Sequence, residues 1–175
     1  MRLVRCFLFC ICAFIFLQCE NDKKREVKFS DDINRYNYLD KLHDIKYVYD
    51  FEDIFNIEES KELHNKLLKL KLEEGITFIL ITDDNRTLNQ SFIENTIKTN
   101  EIFMSKYDLD KSITIKLSKS LRKIGIAYSK NLEQKLNDSI CNHIIEDGLK
   151  PFLKEEKYYI GVDKSVDLIM NYINN

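Results

Sequence analysis

The side chains of this chain best able to do chemistry are carboxylates standing at the ends of apolar runs. Asp50 ends the β-prone run Tyr47-Val48-Tyr49, and Asp83-Asp84 ends the run from Ile76 to Thr82. In parallel α/β sheets, ligands sit beyond the carboxyl ends of the strands, and these two runs are expected to be neighbours. Clustered carboxylates repel one another, and a hard cation such as Ca2+ or Mg2+ would relieve that with oxygen ligands. Asp50, Asp83 and Asp84 are therefore candidate metal ligands. The competing reading is that Asp83 or Asp84 only N-caps the helix that follows.

A second acidic group is Asp110, Glu133 and Asp138. The runs around Ile113 and Ile124 are separated by a few residues and so predict an antiparallel hairpin. That hairpin returns the loop after Tyr128 to the neighbourhood of Asp110. Carboxylates there could hold a cation or orient a water for phosphate-ester hydrolysis, with Asp110 the candidate catalytic residue. Again capping competes, because Asp138 stands where it could start a helix carrying Ile140 and Ile144. The two acidic groups are expected at opposite ends of the sheet.

Other chemistries are excluded. No glycine-rich phosphate loop is present, so no nucleotide cofactor is expected. No zinc spacing occurs, and Cys141 and His143, two apart on a helix, do not face each other. Cys141 reads as a core residue, and His43 and His64 as surface histidines. The net charge is −2 and no basic stripe interleaves with aromatics, so nucleic acid is not expected as a partner.

The N-terminus carries an address. Arg2 and Arg5 precede an apolar run from Cys6 to Leu17, shorter than the ~20 residues a membrane span needs. The run stops at Gln18-Cys19, and Glu20-Asn21-Asp22-Lys23-Lys24-Arg25 follows. An apolar segment ending in cysteine and then a charged stretch is the pattern of a bacterial lipoprotein signal, with Cys19 lipidated as the new N-terminus. Acyl chains would then hold the protein at the membrane. A small residue usually precedes such a cysteine, and here Gln18 does. An ordinary signal peptide with a chance cysteine, or an uncleaved anchor, are the competing readings. The expected organisation is a signal at 1–18, a tether at 19–43 and one domain at 44–175. Of the five cysteines only Cys141 lies in that domain, so no structural disulfide is expected.

The elements that must position the acids can be read coarsely. Asn56 with Glu59 makes a capping box, Leu63, Leu67 and Leu70 recur at helical spacing with Leu68 and Leu72 widening the stripe, and Gly75 ends the helix. Ile76 to Thr82 suits a central strand covered on both faces. Ile93, Ile97, Phe103 and Met104 predict a second helix, to about Lys106. Ile113, Ile115 and Leu117, a turn at Leu121-Arg122-Lys123, then Ile124, Ile126 and Tyr128 predict the hairpin. Val162, Val166, Ile169 and Ile173 line a last helix. Strand alternating with helix predicts a parallel α/β core with right-handed crossovers, as a three-layer αβα sandwich around a mixed sheet of about four or five strands.

The order of pieces from Tyr47 onward resembles the TPM domain family, which includes thylakoid-lumen photosystem II repair proteins and membrane-anchored bacterial proteins. The resemblance is carried by Ile79-Leu80-Ile81-Thr82, by Asp110-Lys111-Ser112 at the family's Asp-x-Gly turn, and by Arg122-Lys123-Ile124 at its basic turn. Glu133 and Leu136-Asn137-Asp138 fall at its Glu and Leu-Thr-Asp pattern. Pro151-Phe152 follows, and Tyr158-Tyr159-Ile160-Gly161 is read as an aromatic-glycine turn into the last helix. The resemblance implies a Rossmann-like αβα fold. It also implies calcium binding, weak acid phosphatase activity or an accessory role at membrane complexes, each found among members.

Two departures weigh on those functions. The family's glycine after Asp110 is Ser112, and its Gly-aromatic-Gly loop is Ser129-Lys130-Asn131. Glycine permits positive φ and close backbone approach to an anion or metal. Asn131 tolerates the left-handed region and is expected to keep one turn. The favoured expectation is a lipid-anchored accessory or binding module of the cell envelope, acting on an envelope protein complex, with Ca2+ as a candidate ligand. The alternatives are a weak metal-dependent phosphatase and a structural lipoprotein without a ligand site.

Overall fold

The computed structural model describes residues 45–83 and 91–175. Cys19, the tether, His43 and Asp84 lie outside the described residues. In chain order the elements are β1 (Val48–Asp50), α1 (Ile57–Glu74), β2 (Thr77–Thr82), α2 (Phe92–Tyr107), β3 (Ser112–Ser118) and β4 (Lys123–Tyr128). A 3-10 turn at Lys130–Leu132 leads to α3 (Asp138–His143), a π-helical stretch (Ile144–Leu149), α4 (Lys150–Lys154) and α5 (Tyr158–Asn174).

Both long crossover helices start for the same local reason. Asn56 and Ser91 accept from the backbone N–H three residues on, and Glu59 and Glu94 return the bond to the cap N–H. Each reciprocal pair satisfies two of the helix's orphan donors. Ser91, rather than Asp83 or Asp84, is thus the N-cap of α2. Gly75 ends α1 in the left-handed region at φ 68°, as expected of a C-cap glycine.

The sheet has four strands in the order β1-β2-β3-β4. β1 and β2 are parallel with Asp50 opposite Thr82, β2 and β3 are parallel with Leu80 opposite Ile115, and β3 pairs antiparallel with β4. The hairpin turn passes through Arg122 at φ 52°.

The two faces of the sheet differ chemically along β3. On one, Val48, Phe78, Leu80, Ile113, Ile115, Leu117 and Ile126 join Leu63 and Leu67 of α1 and Val162, Val166 and Ile169 of α5 in a continuous apolar core. Fully burying each large apolar side chain contributes about 1.5–3 kcal/mol. On the other face Ser112, Thr114 and Lys116 of β3 alternate inward beside the fully buried Tyr49, Ile79 and Ile81 of β1 and β2, and α2 covers β3 and β4 there, with Phe103 against Tyr49. The result is a three-layer αβα sandwich.

Three expectations change. First, α1 and α2 lie on opposite faces although the strand order advances in one direction from β1 to β3. Two such connections cannot share a hand, so the crossovers are of opposite handedness and the general right-handed rule holds for one of them. Second, the α2 stripe is rotated: Thr96, Thr99, Asn100 and Phe103 are its buried residues, and Ile93 and Ile97 are exposed. In α1, Leu63 and Leu67 are buried, while Leu72 is exposed. Third, Tyr158 to Gly161 is no turn but the first turn of α5. Gly161 sits where a Cβ would come 3.0 Å from Phe152 Cβ. A side chain there would crowd the approach of α4 to α5.

Candidate functional site

Because α1 leaves β1 toward one face and α2 leaves β2 toward the other, a crevice is expected between the carboxyl ends of these strands. Asp50 stands at its edge. Its Oδ2 accepts from the Phe55 N–H at 2.8 Å, and its Oδ1 accepts from the Ile54 N–H at 3.2 Å and from the Thr82 hydroxyl. Thr82 Oγ1 in turn accepts from the Glu52 N–H at 3.1 Å. Asp50 therefore organises the loop between β1 and α1 and fastens it to β2.

Glu52 continues the lacing. Its carboxylate accepts from the Lys119 N–H at 2.8 Å and the Ser120 N–H at 3.0 Å, across to the β3–β4 turn. No reading of the sequence singled out Glu52, because its partners are backbone amides, which leave no mark in residue type.

Asp83 points the other way. Thr82, paired with Asp50, lies on the face of Leu80, so the next residue projects to the opposite face. There Asp83 Oδ2 meets Lys116 Nζ at 2.9 Å, with side-chain exposures of 10% and 3%. Lys116 also donates to Asn95 Oδ1 at the start of α2, and its ammonium lies 5.8 Å from the Phe92 ring centroid. A buried charge must be paired and hydrogen-bonded, and Lys116 is both. The signal for it was present in the sequence as a lysine between Ile115 and Leu117, inside an apolar alternation. The structure thus places Asp50 and Asp83 on adjacent strands but not together.

At the opposite end of the sheet the hairpin does return its far strand to Asp110. The Asn131 side-chain amide donates to the Asp110 carboxylate, and to its backbone carbonyl at 3.3 Å. Asn131 lies in the 3-10 turn and takes no left-handed conformation. The serines that stand at the family's glycine positions bond to each other. Ser129 N–H donates to the Ser112 carbonyl at 2.8 Å, and Ser112 N–H donates to Ser129 Oγ at 3.2 Å. Ser112 Oγ donates onward to Asn100 Oδ1 at 2.8 Å. A backbone amide that glycine would leave open is therefore occupied.

Glu133 follows the 3-10 turn, and Asp138 is the first residue of α3. The N-cap of α3 is Asn137, which accepts from the Ile140 N–H at 3.0 Å. Glu133 and Asp138 flank Tyr128: burial first, then the charges of Cys141, Asp138 and Glu133, hold its phenol above the usual range. Burial, with Asp138 adding to it, pushes the Cys141 thiol up to about 11. That thiol is protonated at neutral pH and is no nucleophile. Asp110 with Asn131, and Glu133 and Asp138 around Tyr128, are two neighbouring pieces. Among the described residues no group of three or more His, Cys, Asp or Glu side chains converges to hold a metal ion. His64 is half-buried, its ring edge-on to Tyr47 at 5.4 Å. No helix among the described residues is long and apolar enough to cross a membrane.

Comparison with known proteins gives a family and a fold. The family model for the TPM domain matches residues 48–172. No curated protein sequence matches the chain at a significant level. Among solved structures, the N-terminal domain of a protein from P. gingivalis is similar with a TM-score of 0.65 at 15% identity, over 74% of this chain and 82% of that one. The N-terminal domain of a Corynebacterium glutamicum protein is similar with a TM-score of 0.50 at 11% identity, over 74% and 78%. These identities speak for the fold alone.

Proposed function

The chain belongs to the TPM domain family, and from that premise we propose that it serves as a membrane-anchored accessory module of the bacterial envelope. In this reading Cys19 carries the lipid and residues 19–43 tether the domain, which engages an envelope protein complex. The observation that carries the reading is how the ligand-handling groups are used. Asp50 gives its oxygens to two backbone N–H groups and Thr82, and Asp83 pairs with Lys116. Ser129 closes the Ser112 amide, and Asn131 holds Asp110. Groups committed to holding loops support a binding scaffold over a hydrolase.

Among the described residues no three of these acids converge on one point, and Asp84 lies outside those residues. The proposed role rests on no cation.

Two measurements test the proposal. Labelled fatty acid should enter the full chain in bacterial cells and be absent from Cys19→Ala; equal labelling overturns the anchor. Purified full chain should hydrolyse an aryl phosphate no faster than buffer, with or without Mg2+ or Ca2+. Turnover that Asp110→Asn abolishes would replace the scaffold reading with the phosphatase one.

A further inference from the structure

The β3–β4 turn already holds a carboxylate in its backbone. The Lys119 N–H donates to Glu52 Oε2 at 2.8 Å, and the Ser120 N–H donates to Glu52 Oε1 at 3.0 Å. Two successive amides converging on one carboxylate form a small anion-binding nest. The rest of the turn closes on itself. The Leu121 N–H donates to Ser118 Oγ at 3.2 Å, and the Arg122 N–H donates to the Lys119 carbonyl at 3.3 Å.

The surroundings of the nest attract more negative charge than Glu52 supplies. Lys119, Arg122 and Lys123 are all exposed on the turn. The Lys119 ammonium lies 5.4 Å from the Tyr158 ring centroid, and among the described residues Arg122 and Lys123 have no carboxylate partner. Arg122 also takes the left-handed backbone at φ 52°, where glycine or asparagine would sit without strain. On the other side of the contact Asp53, next to Glu52, is left-handed too, at φ 50°. Strained residues of this kind cluster at ligand clamps and switch regions.

We propose that this turn is a docking site for the carboxylates of an acidic protein segment, and that Glu52 occupies it as an internal stand-in. The incoming segment places one carboxylate on the Lys119 and Ser120 amides and others against Arg122 and Lys123. Displacing Glu52 frees the β1–α1 loop from the hairpin. The choice of partner rests on the envelope reading above. The chain runs into β1 from Ile45, at the amino end of the strand, whereas the turn stands at the carboxyl end of the parallel strands β1, β2 and β3. A domain anchored from its entry end presents the turn on the side away from the membrane, toward protein rather than lipid headgroups.

Fluorescence polarisation of a short labelled glutamate oligomer on the purified full chain in mild detergent tests this, with a glutamine oligomer as control. The glutamate oligomer should bind in low salt and lose at least about tenfold in affinity in about 0.5 M salt. Glu52→Ala empties the nest and should tighten binding at least about threefold, because an internal competitor lowers apparent affinity. Glu52→Gln serves if that variant does not fold, with the same direction expected. Arg122→Gly removes a cation and the backbone strain together. It should weaken binding at least about threefold while melting no lower than wild type, whereas a purely structural turn would leave binding unmoved. No binding to wild type or to the Glu52 variants overturns the proposal, as does equal binding of the glutamine oligomer or an affinity unchanged in both kinds of variant. Inorganic phosphate displacing the oligomer at a lower concentration than glutarate would assign the nest to phosphate and overturn the carboxylate partner. Failure here leaves the fatty-acid test of Cys19 untouched, and failure of that test removes only the choice of partner.

Discussion

Lys116 and Asp83 are joined at 2.9 Å beneath α2, one inside β3 and the other just past the end of β2, and both side chains are at least nine-tenths buried. The pair ties the carboxyl ends of the two central strands on the α2 face of the sheet. Breaking a buried ion pair by removing one partner typically costs roughly 3–5 kcal/mol. Lys116→Met and Asp83→Leu singly should each show a loss of that order in urea unfolding, and the double variant should lose less than either. Single losses below about 1 kcal/mol, the range of exposed pairs, would count against the burial described.

Asp50 is expected to act on stability rather than on cation affinity. Asp50→Ala deletes the acceptors of the Ile54 and Phe55 amides and of the Thr82 hydroxyl. Bonds to a charged acceptor contribute about 1.5–3 kcal/mol each, not additively, so a total loss of roughly 2–4 kcal/mol is expected. The loss should be equal in urea titrations with and without calcium chloride. A larger loss in calcium would show that Asp50 also serves a cation.

Gly161→Ala should destabilise the junction of α4 and α5. Its new methyl would lie 3.0 Å from Phe152 Cβ and 3.6 Å from the Leu149 carbonyl oxygen. Overpacking of this kind costs about 1–3 kcal/mol, against the small gain alanine usually brings inside a helix. Phe152→Ala keeps the offending Cβ and so should not rescue the variant. Thermal melts of the two single variants and the double variant check this, and a Gly161→Ala chain as stable as wild type would refute the close approach.

Tyr159 should give the protein an alkaline limb. Its hydroxyl donates to Glu62 Oε2 at 2.6 Å, and this bond first, then burial and neighbouring acids, raises its pKa from 10.0 to about 12. The folded state favours the neutral phenol, so the contribution is complete below the unfolded pKa and is lost as pH rises from 10.0 through about 12. The ring is part-buried, but the bond to Glu62 lies at the surface, so solvent screening keeps the effect small. Tyr159→Phe should remove its share of that limb, leaving the shares of Cys141 and Tyr128, and phenolate absorbance in the wild type should rise later than in Glu62→Gln.

Much of the architecture was legible because local rules and tertiary packing agree. Asn56-x-x-Glu59 and Gly75 bound α1, and the alternation at Ile113, Ile115 and Leu117 set the core face of β3. Reading failed where an element packs against polar partners. Isoleucines 93 and 97 gave the period of α2 and the wrong face, because its buried residues are Thr96, Thr99 and Asn100 with Phe103, and Asn100 meets the hydroxyls of Ser112 and Thr114. The hand of a crossover has no residue signature, so the general rule was misleading for one of the two connections. At the site, the return of the hairpin to Asp110 followed from the turn length. The roles of Asp50 and Glu52 did not, because both bind backbone amides whose positions exist only after folding.

Lys116 has one further consequence, for the fidelity of assembly. In β3 the side chains alternate Ser112, Thr114 and Lys116 toward α2 with Ile113, Ile115 and Leu117 toward the apolar core. A slip of β3 by one residue would exchange the two sets. It would drive the Lys116 ammonium among leucines and isoleucines with no carboxylate in reach, at a cost of several kcal/mol even after deprotonation. The neighbouring hydroxyls would add a lesser penalty. A single charged residue in a β-branched strand thereby proofreads the alignment of the sheet, and a chain carrying leucine there should populate misaligned strands during refolding.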